Sequence, residues 1–163
     1  MNKLNKISTK YPEIFKEKIS ISCGDGWYWL IDNLCRQIND YVKYNNNPKL
    51  FSVDKVMGMK IDQPKLDVNI TYIKEKFGIL NVYCDGADSE IWNYISFACN
   101  LSTKICENCG STKYMGTTSA WIRHLCVECG EKDKNIWTPD DGVEQEIRRD
   151  KLLKIDENDK GWR

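Results

Sequence analysis

A single histidine, His124, is all the imidazole chemistry that 163 residues offer, and no serine or cysteine stands beside it in a nucleophile motif. A histidine base therefore has no partner set to work with, and no enzyme is expected. Net charge is missing too, with 24 basic residues against 24 acidic ones. That balance argues against a general nucleic-acid binder, whose affinity comes from neutralising phosphates. The first twenty residues are lysine-rich but hold no apolar run of the kind a secretory signal needs. No segment approaches the roughly 18–20 apolar residues of a membrane span. The expectation is a soluble, cytoplasmic protein without membrane contact.

Cysteine is what the chain does have, with eight in all. Cys106-Glu107-Asn108-Cys109 and Cys126-Val127-Glu128-Cys129 are two Cys-x-x-Cys pairs sixteen residues apart, each followed by glycine, Gly110 and Gly130. Each pair makes a tight turn that points two thiolates at one spot. The intervening loop lets both turns meet around one tetrahedral Zn²⁺. A glycine after the second cysteine allows φ > 0 there and aims amides at sulfur. Disulfides would need an oxidising compartment, and a redox dithiol would need one pair in a βαβ setting. Four thiolates leave no open position for water, so the expected zinc is structural. Cys23, Cys35, Cys84 and Cys99 lack ligand spacing, and Cys35 falls on an apolar helix face, where a thiol behaves as a small hydrophobe.

The chain is long enough for one domain with a small metal-held lobe. The expected architecture is α+β: a small antiparallel sheet packed on two main helices, with a four-cysteine zinc ribbon. Residues 1–105 form the body, 106–130 the ribbon, and 131–163 a charged, partly helical tail. Tyr11-Pro12-Glu13-Ile14-Phe15 reads as a turn and Ile19–Cys23 as a short strand. After Gly24-Asp25-Gly26, an apolar stripe through Trp27, Leu30, Ile31, Leu34, Cys35, Ile38, Tyr41 and Val42 marks a helix. Asp25 is its expected N-cap, and Asn45-Asn46-Asn47-Pro48 ends it.

From Phe51 the pattern turns to period two. Leu66, Val68, Ile70 and Tyr72 alternate, and a hairpin turns near Lys76-Phe77-Gly78 into a strand from Ile79 to Cys84. Residues 53–61 read as a third strand. Ser89–Ile105 is a second helix, Ser119–Leu125 a strand between the knuckles, and Thr138-Pro139 a helix start running to about Lys154.

Several of these pieces, in this order, resemble a family of small uncharacterised proteins common in phages and prophage regions. They are Tyr11-Pro12 with Phe15, Cys23-Gly24-Asp25-Gly26-Trp27, and Lys74-Glu75-Lys76-Phe77-Gly78 with Leu80 and Tyr83, then the Cys106/Cys109 knuckle and Trp121-Ile122-Arg123-His124-Leu125-Cys126. The resemblance covers roughly residues 10–130 and leaves out the tail. It carries no established reaction. It implies a phage or mobile-element accessory factor working in the host cytoplasm, on a host component or on the phage genome.

Three places invite a ligand. The Gly24-Asp25-Gly26 turn offers free amides and a helix N-terminus to an anion, although Asp25 would repel one; the alternative is a plain helix start. Alternation puts Lys74 and Lys76 on one strand face and Glu75 on the other, as an anion site or as ordinary edge protection. If the turn and the lysines share a groove, they make a nucleotide or nucleic-acid pocket. Trp121 and Arg123 share a strand face suited to protein contact, unless Trp121 covers the metal site instead. Binding to a host protein, such as a defence or transcription component, is the leading expectation. Nucleotide or nucleic-acid binding is the alternative.

Overall fold

A computed structural model describes residues 3–47 and 65–159. The expected strand at 53–61, and the onset of alternation at Phe51, lie outside these residues. The body begins with a 3₁₀ turn, Leu4–Lys6, and a single helical turn, α1 (Ile7–Lys10), which pack Leu4 and Ile7 into the core. After β1 (Ile21–Ser22), a second 3₁₀ turn, Asp25–Trp27, leads into α2 (Tyr28–Asn46). The expected stripe is its buried face: Leu30, Ile31, Leu34, Cys35, Ile38 and Val42 are buried, with Tyr41 half-buried at the rim. Asp25 does not cap this helix. It lies inside the 3₁₀ turn, and no side chain caps either segment.

β2 (Asn69–Lys76) and β3 (Ile79–Asp85) form the antiparallel hairpin, and β1 joins β2 in parallel. The turn is the tight two-residue kind, with Phe77 at φ 54° and Gly78 at φ 77°. Glu75 Oε1 accepts the Gly78 amide at 2.6 Å. Strict alternation through Tyr72 fails for a local reason. The register slips between Ile70 and Tyr72, so one extra residue is inserted. Ile70 and Ile73 both face the core, and Tyr72 turns outward.

α3 (Ser89–Ser102) packs beside α2 on the inner face. Asp88 caps it by accepting the Ile91 amide at 2.9 Å, and the Tyr41 hydroxyl donates to the same carboxylate at 2.8 Å. This cap fastens the two helices together. α3 also closes the sheet's open edge. Leu80 donates its amide to Ser102 Oγ at 2.9 Å, and Val82 donates to the Cys99 sulfur. The outer strand therefore presents no free ladder for pairing at those residues.

A second sheet, in the order β5-β4-β6, carries β4 (Met115–Thr118), β5 (His124–Cys126) and β6 (Trp137–Pro139). Of the expected strand Ser119–Leu125, His124 and Leu125 are strand, in β5, and residues 119–123 are the connection from β4, with Ala120 at φ 62°. A short helical turn, α4 (Val127–Gly130), follows β5. Thr138 and Pro139 do not start a helix. They sit in edge strand β6, where a proline's missing N–H is tolerated. The last helix, α5 (Val143–Asp159), begins after Gly142 at φ 83° and outruns Lys154. Because β6 completes its sheet, the ribbon extends beyond residue 130. Among the described residues, no helix is long and apolar enough to cross a membrane.

Candidate metal centre

The first knuckle grows directly out of α3. Ile105 donates back to Ser102 O at 3.3 Å, and Cys106 then donates to Ser111 O at 2.7 Å. Gly110, at φ 81°, returns its amide to Cys106 O at 2.8 Å. The second knuckle is the junction of β5 with α4, where Val127 donates to Tyr114 O at 2.9 Å. The two turns bring the sulfurs of Cys106, Cys109, Cys126 and Cys129 within 4.8 Å of one another. Cys109 and Cys126 are 3.6 Å apart. Four thiolates about 2.3 Å from one ion have sulfur–sulfur edges near 3.8 Å, so the cluster fits a tetrahedral ion closely. All four belong to free thiols, as do the other cysteines.

Cys106 is fully buried and Cys126 nearly so, whereas Cys109 is exposed. Burial pushes the Cys106 thiol up, but hydrogen bonds from the Cys126, Cys109 and Asn108 backbone outweigh it and leave that thiol below its ordinary range. These are amides aimed at sulfur, the support a thiolate ligand needs. The second glycine serves another purpose than expected. Gly130 has no positive φ; a Cβ there would sit 2.2 Å from Trp137 Cδ1.

Trp137 covers the cluster. It packs on Cys106, Met115, Leu125 and Cys126, and its Nε1 donates to Leu125 O at 3.1 Å. Trp121, the other tryptophan of this region, is 65% exposed. Its sequence position beside the second knuckle suggested the cover; the residue that performs it comes after the knuckle, in β6.

The Gly24-Asp25-Gly26 turn faces the first knuckle. Gly26 donates to Glu107 O at 2.8 Å, and Gly24 donates to Glu107 Oε1 at 3.0 Å. The anion held at this helix start is thus the protein's own Glu107 carboxylate. A Cβ on Gly24 would lie 2.2 Å from Glu107 O, and one on Gly26 would lie 2.3 Å from Cys106 O. Only glycine permits that approach. Trp27, fully buried, donates its Nε1 to Ile105 O at 2.9 Å.

Arg123 is equally occupied. Its Nε donates to Glu107 Oε2 at 2.9 Å and its NH1 to Asp133 Oδ2 at 3.1 Å, while its NH2 reaches Asn108 Oδ1. Glu107 and Asp133 are nearly buried beneath it. Hydrogen bonds from Asn135, with the Arg123 charge, hold the Asp133 carboxyl below its usual range. Arg123 is therefore an internal brace and not a contact residue beside Trp121. Glu107 was not marked by any motif, being only the x of a Cys-x-x-Cys pair.

Lys74 and Lys76 have other neighbours. Lys74 Nζ lies 5.5 Å from the centre of the Tyr72 ring and 5.0 Å from that of Tyr83, and Lys76 Nζ lies 5.8 Å from Phe77. The Gly24 and Gly26 amides go to Glu107, and the cavity beside Asp25 and Gly26 is lined by neither lysine. His124 is half-buried near Thr117, and desolvation lowers its pKa. It takes no part in the cysteine cluster.

No protein-family model, no curated protein and no solved structure matches this chain. The four-cysteine cluster is the one such group found among the described residues.

Proposed function

We propose that the cluster holds one structural Zn²⁺ and that the protein is a non-catalytic binding module acting on a partner protein. An all-thiolate set at tetrahedral spacing suits zinc, and a filled shell gives the ion a folding role. The ion's task is to weld the ribbon to the body through Glu107 and the glycine turn.

The observation that carries the reading is the contact between ribbon and hairpin tip. A Cβ on Gly78 would lie 3.2 Å from Ile122 Cγ2 and 3.0 Å from His124 Cδ2. Around this joint, Phe77, Ile79, Trp121 and Ile122 are exposed by 70%, 39%, 65% and 43%. Large apolar side chains gathered across two structural units, and not turned inward, are characteristic of a partner surface. Trp121 keeps the role expected of it, and Phe77 and Ile122 replace Arg123. The resemblance to phage and prophage proteins makes a host protein the expected partner, in the host cytoplasm.

The test is capture of one defined host protein from nuclease-treated lysate. Phe77→Ser with Trp121→Ser should abolish capture while metal content and melting stay unchanged. Capture that survives this pair, or that Trp29→Ser on α2 removes instead, places the surface elsewhere and overturns the reading.

A further inference from the structure

The hairpin's outer face, which adjoins the apolar tip at Lys76, carries a second chemistry. Tyr72 stands opposite Tyr83 and Lys74 opposite Asn81, with Lys76 opposite Ile79. The helices cover the inner face, so these side chains point away from the core. Tyr72 is 58% and Tyr83 43% exposed. Their rings meet edge to face, with centres 6.5 Å apart and planes at 81°. The Lys74 ammonium is held against both rings.

Among the described residues, neither Lys74 nor Lys76 has a carboxylate partner, although four other basic residues do. Glu75 stands on the other face of β2, opposite Leu80, and its carboxylate accepts the Gly78 amide. Asp85, paired with Asn69 at the far end of the hairpin, is the acid of these two strands that lies nearest the tyrosines. A folded surface that sets two lysines without carboxylate partners in a row beside a pair of exposed tyrosines matches a ligand that carries anionic groups next to flat rings. A single-stranded nucleic acid repeats both in every nucleotide.

We infer that this face binds single-stranded nucleic acid, with Tyr72 and Tyr83 stacking bases and Lys74 and Lys76 taking the flanking phosphates. Every base has a π-face, so such stacking is tolerant of sequence. A duplex hides its bases and would gain from the lysines alone. The zero net charge sets the scale: two phosphate contacts make a modest binder that recognises exposed bases, unlike the general binder that composition excludes.

The experiment titrates the zinc-loaded full chain into a labelled oligothymidylate, an oligouridylate and a duplex of equal length. The expected result is single-strand binding that exceeds duplex binding. On single strands the slope of log affinity against log salt should be about −1.4, from roughly −0.7 per phosphate for two contacts. Tyr72→Ala and Tyr83→Ala should each weaken binding by at least about fivefold, the low end of a lost stack. The matching Phe variants should keep it, and Trp121→Ser should not change it. Unaltered melting and metal content in every variant separate a lost surface from a lost fold. The inference is overturned if no oligonucleotide binds at low salt, if the alanine variants bind normally, or if polyglutamate competes as well as the oligonucleotide. A preference between the thymidylate and the uridylate assigns DNA or RNA as the source.

Discussion

Glu107 and Arg123 meet at 2.9 Å, and the second oxygen of the same carboxylate takes the Gly24 amide at 3.0 Å. One side chain thereby joins the start of α2, the first knuckle and the β4–β5 connection. The arrangement ties the knuckle to the body, so that it is not a bead on a linker. The pair is largely withdrawn from water, with side-chain exposures of 7% for Glu107 and 21% for Arg123. Losing either partner leaves charge unmatched near the interior.

Arg123→Ala should therefore destabilise the protein by about 2–3 kcal/mol, below the usual cost of breaking a fully buried pair because the guanidinium keeps some water. Glu107→Gln should cost less, since the amide can still accept from Gly24. Urea melts of the two variants beside the parent protein decide this. Equal, negligible effects would mean the brace is ornamental.

The metal makes a separable prediction. Protein purified without added metal should carry close to one zinc per chain. Cys109→Ser and Cys126→Ser should lose it, and the ribbon should unfold around Trp137, because metal affinity is folding energy in a closed thiolate site. Cys35→Ala, on the buried face of α2, should retain zinc and cost on the order of 1 kcal/mol. Zinc loss from Cys35→Ala would show the ligand assignment to be wrong.

How much of this was legible in the sequence depends on the range over which each signal acts. The α2 stripe, the Phe77-Gly78 turn and the two Cys-x-x-Cys pairs are local patterns, and the structure places all three as read. The exposure of Tyr72 was hidden because a bulge is one residue of insertion, which no periodicity announces before the strand partner is known. The roles of Glu107 and Arg123 were hidden because charge pairing across residues far apart in the chain leaves no mark on spacing. Gly24 and Gly26 carried a correct local signal with the wrong consequence. Both are needed for close approach, but what approaches is the Cys106–Glu107 backbone and not a ligand. Trp137 carries no sequence signal, because it sits in a polar stretch past the last cysteine, beyond the bounds that cysteine spacing sets for the ribbon.

Trp137 and Trp121 should then behave oppositely. Trp137→Ala removes the cover of the cysteine cluster and the surface on which Gly116 and Gly130 pack. A cost of about 3 kcal/mol is expected, the lower end for deleting a large aromatic, because the ring is only half-buried. Trp121→Ala, at an exposed position, should stay within about 0.5 kcal/mol of the parent. Thermal melts with zinc present measure both. If Trp121 proved the costlier residue, it and not Trp137 would be the ribbon's cover.

Alkaline pH tests the joint between the two helices. The Tyr41 hydroxyl donates to Asp88, the N-cap of α3, and its pKa is raised from the ordinary 10.0 to about 12 by desolvation first and then by its hydrogen bond and charge repulsion with Asp88. The folded protein holds this proton more tightly than the unfolded chain does. The resulting stabilisation is complete below pH 10 and drains away as pH rises from 10 to 12, since the unfolded state ionises first. Tyr41→Phe lacks the proton and the hydrogen bond. It should be less stable than the parent at pH 8, and the gap should narrow steadily across that window. Parallel denaturant melts of parent and variant, stepped through the alkaline range, read the gap directly. A gap that stays constant to the top of the window would mean that the Tyr41–Asp88 hydrogen bond contributes nothing to holding α2 against α3.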